Sequence, residues 1–260
     1  MSTVEVKLRR VNLRDESVSE VDDIVTSDRA VCIFINDEYY RTLITTPTMV
    51  KELVLGHLIC EGVVESLDDV GSIEVEPLKV RVELKNDVDL DLINMSKVDL
   101  ITTACGSLSA PPREDQLGLL RRVPEVHVEA ERIWEMVTEL NRRSELYRST
   151  GGTHSAMLCS VDGTVHAFAE DVGRHNAVDK VVGAGVLGGV DLGGCVLVSS
   201  GRQSSEIVLK VARSGIPVIA SVAAPLESGV NIAEATGITL VCFVRGRRMN
   251  VYTHHEAIVA

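Results

Sequence analysis

The pattern of hydrophobic and polar positions predicts strands and one helix in the first part of the chain. The apolar runs 30–35 and 39–44 flank a short polar stretch, which is typical of a β-hairpin. Thr46 followed by Pro47 predicts the N-cap and first turn of a helix that ends near residue 61. The N-terminal part is therefore expected to combine strands with a helix.

The second part of the chain alternates helical and strand periodicity. An amphipathic helix is predicted from about Glu129 to Tyr147, and Asp162-Gly163 between two apolar runs predicts a second hairpin. Further helices are expected near 175–183, 204–214 and 227–236, alternating with strands near 195–200, 217–222 and 238–243. This βαβα order predicts an α/β (α+β) fold in which helices cover a mixed sheet.

A chain of 260 residues exceeds one typical domain, so we expect two parts. Residues 1–125 are predicted as a smaller N-terminal α+β part, and residues 126–260 as an α/β domain. Aromatic residues make up only 3% of the chain, so the core is expected to be aliphatic.

The charge balance and the hydropathy exclude several classes of partner. With 26 Lys and Arg against 38 Asp and Glu, the net charge is −12, which opposes general nucleic-acid binding. The sequence has no apolar run of about 18 residues and begins without a secretory pattern. We therefore expect a cytosolic protein that binds neither nucleic acid nor membrane.

Six cysteines occur, and their spacing matches no zinc ribbon or zinc finger. Five lie in apolar runs and are predicted to be buried. Cys105 differs, because it lies in a loop of small and hydroxyl residues with prolines just beyond. The loop makes Cys105 a candidate nucleophile, although an incidental loop cysteine would have the same local sequence.

Four polar segments are candidates for chemistry, and each also has a purely structural interpretation. Residues 170–180 place Arg174 and His175 at a strand-to-helix junction, where cations oppose the helix dipole unless an anion is bound. Residues 199–206 are typical of an anion site at a helix N-terminus and equally of a serine-capped helix. His154 in a glycine turn is more often structural than catalytic, and the arginines of 243–248 suit a phosphate clamp or a solvated charge run.

The glycine pattern of residues 183–188 matches GxGxxG but not its required context. A dinucleotide fingerprint follows a strand and opens a helix, whereas this segment is predicted to connect a helix to a strand. We therefore reject a dinucleotide-binding motif here.

Together these segments resemble the formate dehydrogenase accessory sulfurtransferase family, FdhD. The resemblance covers nearly the whole chain, including TPTMVKELVLGHLICEGVV in the N-terminal part. Its most specific stretches follow in order as TGGTHSA, EDVGRHNAVDKVVG, SSGRQSSE and FVRGRRMNVYTH.

The resemblance implies a cytidine-deaminase-like fold for the C-terminal region and a homodimer. It also implies that sulfane sulfur passes from a cysteine desulfurase to the molybdenum or tungsten bis-molybdopterin guanine dinucleotide cofactor, which is bound as a substrate and serves formate dehydrogenase.

By position, Cys105 is implied as the persulfide-bearing residue, and the cofactor-binding segment is implied to consist of Phe243, Val244, Arg245, Gly246, Arg247 and Arg248. As a hypothesis we extend this pocket to His154, Arg174, His175, Gly201, Arg202 and Ser204.

One departure from the family pattern concerns the loop of Cys105. Many members have a second cysteine three positions later, where this chain has Leu108. Either Cys105 alone suffices, another acceptor cysteine takes part, or this copy is impaired. We favour the first, because persulfide transfer needs only one nucleophile.

Two rival functions remain to be weighed. A zinc deaminase is excluded, because the sequence lacks the HxE and PCxxC ligands, so no zinc is expected. A chaperone that binds the cofactor without touching its sulfur stays open, and it would make Cys105 dispensable.

Overall fold

The structure is a computed structural model that describes residues 2–86 and 121–260. The predicted sulfur carrier Cys105 and the departure at Leu108 lie outside the described residues. Among the described helices, none is both long and apolar enough to cross a bilayer.

The N-terminal part contains a separate hairpin, a four-stranded sheet and one helix. Strands β1 (Thr3–Asn12) and β2 (Ser17–Thr26) pair antiparallel. The sheet consists of β3 (Arg29–Ile35), β4 (Glu38–Thr45), β5 (Val70–Val75) and β6 (Lys79–Leu84), in the order β4-β3-β6-β5. Helix α1 (Val50–Cys60) follows β4. The predicted hairpin is confirmed, and its turn is formed by Asn36 and Asp37, both with positive φ.

The C-terminal part is a six-stranded mixed sheet with helices on both faces. Its strands are β8 (His154–Ser160), β9 (Val165–Asp171), β10 (Cys195–Ser199), β11 (Val218–Ser221), β12 (Thr239–Arg245) and β13 (Arg248–Val251). Its helices are α2 (Ala130–Arg143), α3 (Glu145–Thr150), α4 (Arg174–Leu187), α5 (Ser205–Ser214) and α6 (Glu227–Thr236). Short strands β7 (Val128–Glu129) and β14 (Ile258–Val259) pair parallel. The predicted α/β (α+β) class is confirmed.

The strand directions bring several loops to one edge of this sheet. The order is β13-β12-β11-β10-β8-β9, with β10, β11 and β12 parallel and β8 antiparallel to both of its neighbours. The carboxyl ends of β9, β10, β11 and β12 therefore meet the start of β8. We call this the carboxyl edge, the edge at which open α/β sheets bind ligands.

The core lies on both faces of the six-stranded sheet. Because side chains alternate along a strand, Leu197 of β10 faces one hydrophobic cluster while Val196 and Val198 face the other. The first cluster also includes residues of the N-terminal part, such as Leu53 and Ile33, so apolar packing is continuous across the predicted boundary at residue 125. The division into two domains stays a prediction.

Helices α1 and α4 approach each other through two glycines. A Cβ added to Gly56 would lie 1.8 Å from the Asp179 carbonyl oxygen, and one added to Gly183 would lie 1.9 Å from that of Glu52. Only glycine permits such a contact between backbones. The GxGxxG pattern therefore ends helix α4 and packs it, in agreement with its rejection as a dinucleotide fingerprint.

Two predicted helix limits are wrong, in each case because a long-range contact overrides the local signal. Thr46 is not an N-cap: α1 begins at Val50 after Met49, and the backbone and side chain of Thr46 instead bond residues 171, 172 and 180. The single helix predicted over 129–147 is interrupted at Ser144, whose hydroxyl lies 2.6 Å from that of Ser155 on β8.

Candidate functional site

The predicted cofactor-binding residues, all of which are described, lie at or just beyond the carboxyl edge. His154 opens β8, and Arg174 and His175 are the first residues of α4 after β9. The loop 201–204 follows β10, and the segment 243–248 joins β12 to β13. Sequence positions separated by almost a hundred residues are thus collected at one edge.

The first group, which we call the loop cluster, consists of His154, Arg174, Gly201 and Arg202. A Cβ on Gly201 would lie 3.1 Å from the Cβ of Arg174, so the loop after β10 packs closely on the start of α4. Burial and then the charges of Arg174 and Arg202 lower the pKa of His154. The cluster is therefore a region of positive potential at the edge of an acidic protein.

Arg174 is a buried cation that has no carboxylate partner in the part of the chain that the structure describes. Its residue exposure is 6%, its Nε makes no hydrogen bond, and no ion pair to it occurs within residues 2–86 and 121–260. An unpaired buried charge is costly, whereas a guanidinium that meets a phosphate or carboxylate is strongly stabilised. Burial without an ion pair among the described residues is therefore the environment expected of an arginine that binds an anionic ligand.

Gln203 lies in the candidate segment 199–206 but was not singled out by name, and it is a second incomplete group in this loop. Its side chain is fully buried, and its Nε2 donates to the Gly201 carbonyl oxygen at 2.6 Å, while Oε1 receives no hydrogen bond from any described residue. The Ser221 hydroxyl donates to the same carbonyl at 2.9 Å, which links the loops after β10 and β11. No sequence signal separates Gln203 from its polar neighbours.

Glu206, another residue that the sequence reasoning did not single out as a site residue, bonds Ser204 and lies near His175. The Ser204 hydroxyl donates to Glu206 Oε2 at 2.5 Å, and His175 Nε2 lies 4.0 Å from the same oxygen. Ser204 is the N-cap of α5 but makes no capping hydrogen bond. Its hydroxyl is thus engaged with a carboxylate in this structure.

A buried carboxylate fixes the turn that carries Arg174. Asp171 accepts hydrogen bonds from the Gly173 amide at 2.8 Å and from Asn176 Nδ2 at 2.9 Å, and it pairs with Lys180 Nζ at 2.6 Å. Thr45 and Thr46 donate to Asp171 Oδ2, the oxygen that also pairs with Lys180, whereas Gly173 and Asn176 donate to Oδ1. The Asp171 carboxylate therefore joins the end of β4 to the start of α4 and orients the first turn of that helix.

The segment 243–248 adjoins the loop cluster at its start. Phe243 has a positive φ of 54°, which forms a bulge, and its amide donates to Ala223 in the loop after β11. The guanidinium of Arg245 lies 5.3 Å from the centre of the Phe243 ring. Val244 is only 1% exposed and its side chain packs in the core, so its part in cofactor binding stays a prediction.

The end of this segment turns toward helix α2. Arg247 NH2 bonds Glu131 at 2.7 and 2.9 Å, and its guanidinium lies 4.6 Å from the Trp134 ring centre. Ser144, just beyond the other end of α2, contacts Ser155 beside His154. With a rise of 1.5 Å per residue, the helix axis separates Glu131 from Ser144 by about 20 Å. Within one chain the residues of 245–248, which we call the hairpin tip, are therefore distinct from the loop cluster.

A second buried network lies deeper, between α1, α4 and α5. Lys210 Nζ lies 3.0 Å from Asp179 and 2.9 Å from Glu61, and His57 Nδ1 lies 3.0 Å from Asp179. Burial lowers the pKa of His57, so the ring is neutral and Nδ1 donates to the carboxylate. This network joins the three helices and lies away from the carboxyl edge.

Comparison with known proteins places these features in a family. The model of the FdhD/NarQ family matches residues 26–259. A sulfur carrier protein FdhD from Thermoplasma acidophilum is 39% identical over 221 residues, which cover 84% of this chain and 78% of the relative. Another, from Methanothermobacter thermautotrophicus, is 35% identical over 94% of this chain and 95% of its own. The crystal structure of a proposed formate dehydrogenase accessory protein from Desulfotalea psychrophila matches with a TM-score of 0.82 and 26% identity, covering both chains fully. The chain therefore belongs to the FdhD/NarQ family.

Proposed function

We propose that this chain is a sulfur carrier in the maturation of formate dehydrogenase. In this proposal Cys105 takes sulfane sulfur from a cysteine desulfurase and delivers it to the molybdenum or tungsten bis-molybdopterin guanine dinucleotide, which is the substrate. The names of the relatives, sulfur carrier protein and formate dehydrogenase accessory protein, support the role. A cytosolic location and a homodimer stay predictions.

The other cysteines support Cys105 as the carrier, because four of them are poor nucleophiles. Burial raises the pKa of Cys159 and Cys242 to about 12 and that of Cys195 to about 11, and it raises that of Cys60 well above its usual range. A thiol that stays protonated neither attacks a persulfide nor carries one efficiently. Among the described cysteines only Cys32 is partly exposed.

The transfer needs a single thiol at each step. The Cys105 thiolate attacks the terminal sulfur of the desulfurase persulfide, and the S–S bond breaks with its electron pair on the desulfurase thiolate. For delivery, neutral sulfur leaves the Cys105 persulfide and the bonding pair stays on the Cys105 thiolate. A reduced metal centre then supplies the two electrons that convert this sulfur into a sulfido ligand.

The observation that carries the substrate half of the proposal is Arg174, a buried cation lacking an ion-pair partner among the described residues. Diphosphate groups are the parts of the guanine dinucleotide that guanidinium groups bind best. Arg202 and His154 add positive potential beside Arg174, and Arg245, which lies over the Phe243 ring, adds a cation in the hairpin tip. Phosphate recognition at the carboxyl edge would orient the metal end of the substrate for sulfur transfer.

Intact-protein mass measures the carrier step directly. The native chain is incubated with a cysteine desulfurase and cysteine, and we expect a gain of one sulfur atom that a reductant removes. Cys105→Ala should lose this gain, whereas Cys32→Ala, which removes the partly exposed described thiol, should keep it. Circular dichroism of both variants controls for folding.

The alternative of a chaperone that holds the cofactor without sulfur transfer predicts a different result. In that case the native chain takes up no sulfur, and Cys105→Ala supports formate dehydrogenase maturation as well as the native chain does. A gain of sulfur that survives in Cys105→Ala would contradict Cys105 as the carrier and would direct attention to Cys32.

A further inference from the structure

Helix α2 contacts the hairpin tip through two side chains. The indole of Trp134 lies under the guanidinium of Arg247, with 4.6 Å from the ring centre to Cζ. Glu131, one turn earlier on the same helix, receives two hydrogen bonds from Arg247 NH2. Both Arg247 and Glu131 are more than half exposed, so this arrangement is formed at the surface.

The backbone of the tip also favours a single conformation. Gly246 and Arg247 both have positive φ, at 59° and 56°, which forms the tight two-residue turn of a hairpin. The side chain of Arg247 therefore leaves a rigid turn and meets a rigid helix. Glu131 bonds only NH2, and within residues 2–86 and 121–260 no acceptor bonds the Nε or NH1 groups of Arg247, which can therefore donate to a ligand.

We infer that Trp134 is a positioning residue that holds Arg247 ready to bind a phosphate of the ligand. This inference rests on the proposed function, because it takes the hairpin tip as part of the phosphate-binding surface. An arginine on a flexible tip loses rotamer freedom when it binds, whereas one already stacked on an indole loses less. Trp134 contacts no ligand itself and acts through Arg247.

The chain contains one tryptophan, which makes the inference directly measurable. Guanosine 5′-diphosphate is titrated into the native chain while tryptophan emission is followed, and calorimetry measures binding independently. We expect a saturable change in emission with the same midpoint as the heat, since a phosphate bound at Arg247 changes the charge beside the only indole. Arg132→Ala removes an arginine from the same helix that pairs with Glu135 rather than with the tip, and it should leave both signals unchanged.

Substitution then separates positioning from bulk packing. Trp134→Leu keeps an apolar side chain against the core but removes the ring, and the affinity should fall about two- to fivefold, the range of an exposed cation–π contact. Trp134→Phe keeps a ring face and should restore most of the affinity by calorimetry. Thermal unfolding of both variants detects a general loss of structure. If Trp134→Leu fails to fold, the emission titration of the native chain still tests the inference, because binding without a change in emission would contradict it.

Two results would overturn the inference. Either the diphosphate binds the native chain by calorimetry with no change in tryptophan emission, or a folded Trp134→Leu binds it as tightly as the native chain does. These results leave the proposed function standing. Failure of the native chain to bind the diphosphate would overturn both this inference and the phosphate half of the proposed function, and sulfur uptake by Cys105 would decide the carrier half separately.

Discussion

The crossing of α1 and α4 allows a sharp test of the packing. In Gly183→Ala the added methyl group would lie 1.9 Å from the Glu52 carbonyl oxygen, whereas an ordinary contact needs more than 3 Å. The clash is with backbone, so no side-chain rotation relieves it. The helices must separate by more than 1 Å, and the buried pair His57–Asp179, which joins α1 to α4, stretches with them.

The expected cost follows from opposing contributions. Alanine has a better helix propensity than glycine by about 1 kcal/mol, which favours the variant. Overpacking costs about 1–3 kcal/mol, and breaking a buried ion pair costs about 3–5 kcal/mol. Partial stretching of the network therefore leaves a net destabilisation of about 2–4 kcal/mol, which for a chain of this size lowers Tm by roughly 4–16 °C.

Urea unfolding followed by circular dichroism measures this difference. Gly194→Ala is the matched control, because a Cβ there meets no atom within 4 Å and the backbone conformation suits any residue. The control should unfold within about 0.5 kcal/mol of the native chain. If Gly183→Ala unfolded at the same urea concentration as Gly194→Ala, with an unchanged m-value, the glycine crossing would not be the constraint described.

Two further predictions concern buried charge. Arg174→Met should lower the affinity for guanosine 5′-diphosphate, measured by calorimetry, by about tenfold or more, because hydrogen bonds to charged groups contribute about 1.5–3 kcal/mol. Its thermal stability should stay equal or rise, because a buried cation without an ion-pair partner among the described residues is removed. Unchanged affinity would contradict the role of Arg174 in anion binding. Burial lowers the pKa of His57 in the folded chain, so the unfolded chain binds the proton more readily than the folded chain does. The folding stability should therefore be constant above about pH 6.5 with respect to this group and should decline as the pH falls below about 6.5. Urea midpoints of the native chain should therefore fall from pH 7 to pH 5 more steeply than those of His57→Gln, and equal slopes would refute this assignment.

Local sequence signals predicted most of the elements correctly. Asn36-Asp37 and Asp162-Gly163 form hairpin turns, because these residues accept the backbone conformations that tight turns require. Helices α5 and α6 lie where helical periodicity ends at a glycine, at Gly215 and Gly237, each with positive φ. These features depend on residues close in sequence, so a single chain reveals them.

The errors arise where distant partners decide the local structure. Thr46 resembles an N-cap by sequence, yet its amide bonds Asp171, 125 residues away. The hydroxyl of Ser144 lies against that of Ser155 and interrupts a helix that the apolar pattern predicts as continuous. Neither partner is visible in a local window, because each contact requires the sheet to be assembled first.

The same limit applies to the candidate site. Sequence motifs identified Arg174, Gly201 and Arg202, and the strand order explains why these positions come together. The stretch SSGRQSSE contains Gln203 and Glu206 without revealing their roles, and no named motif contains Trp134, because these roles depend on an unpaired atom, a shared carboxylate or a stacked ring. These are properties of the packed structure, and they separate the loop cluster from the hairpin tip.

The buried ionic groups also explain why the N-terminal elements bear on a site formed by the C-terminal sheet. Asp171 receives donors from Thr45 and Thr46 at the end of β4, and it also bonds the first turn of α4 that carries Arg174. One turn deeper, Asp179 joins α4 to α1 through His57. A shift of α1 would therefore rotate or translate the helix start that presents Arg174. The strand–helix connection after β4 is thus part of the framework of the carboxyl edge, even though none of its side chains was predicted to bind a ligand.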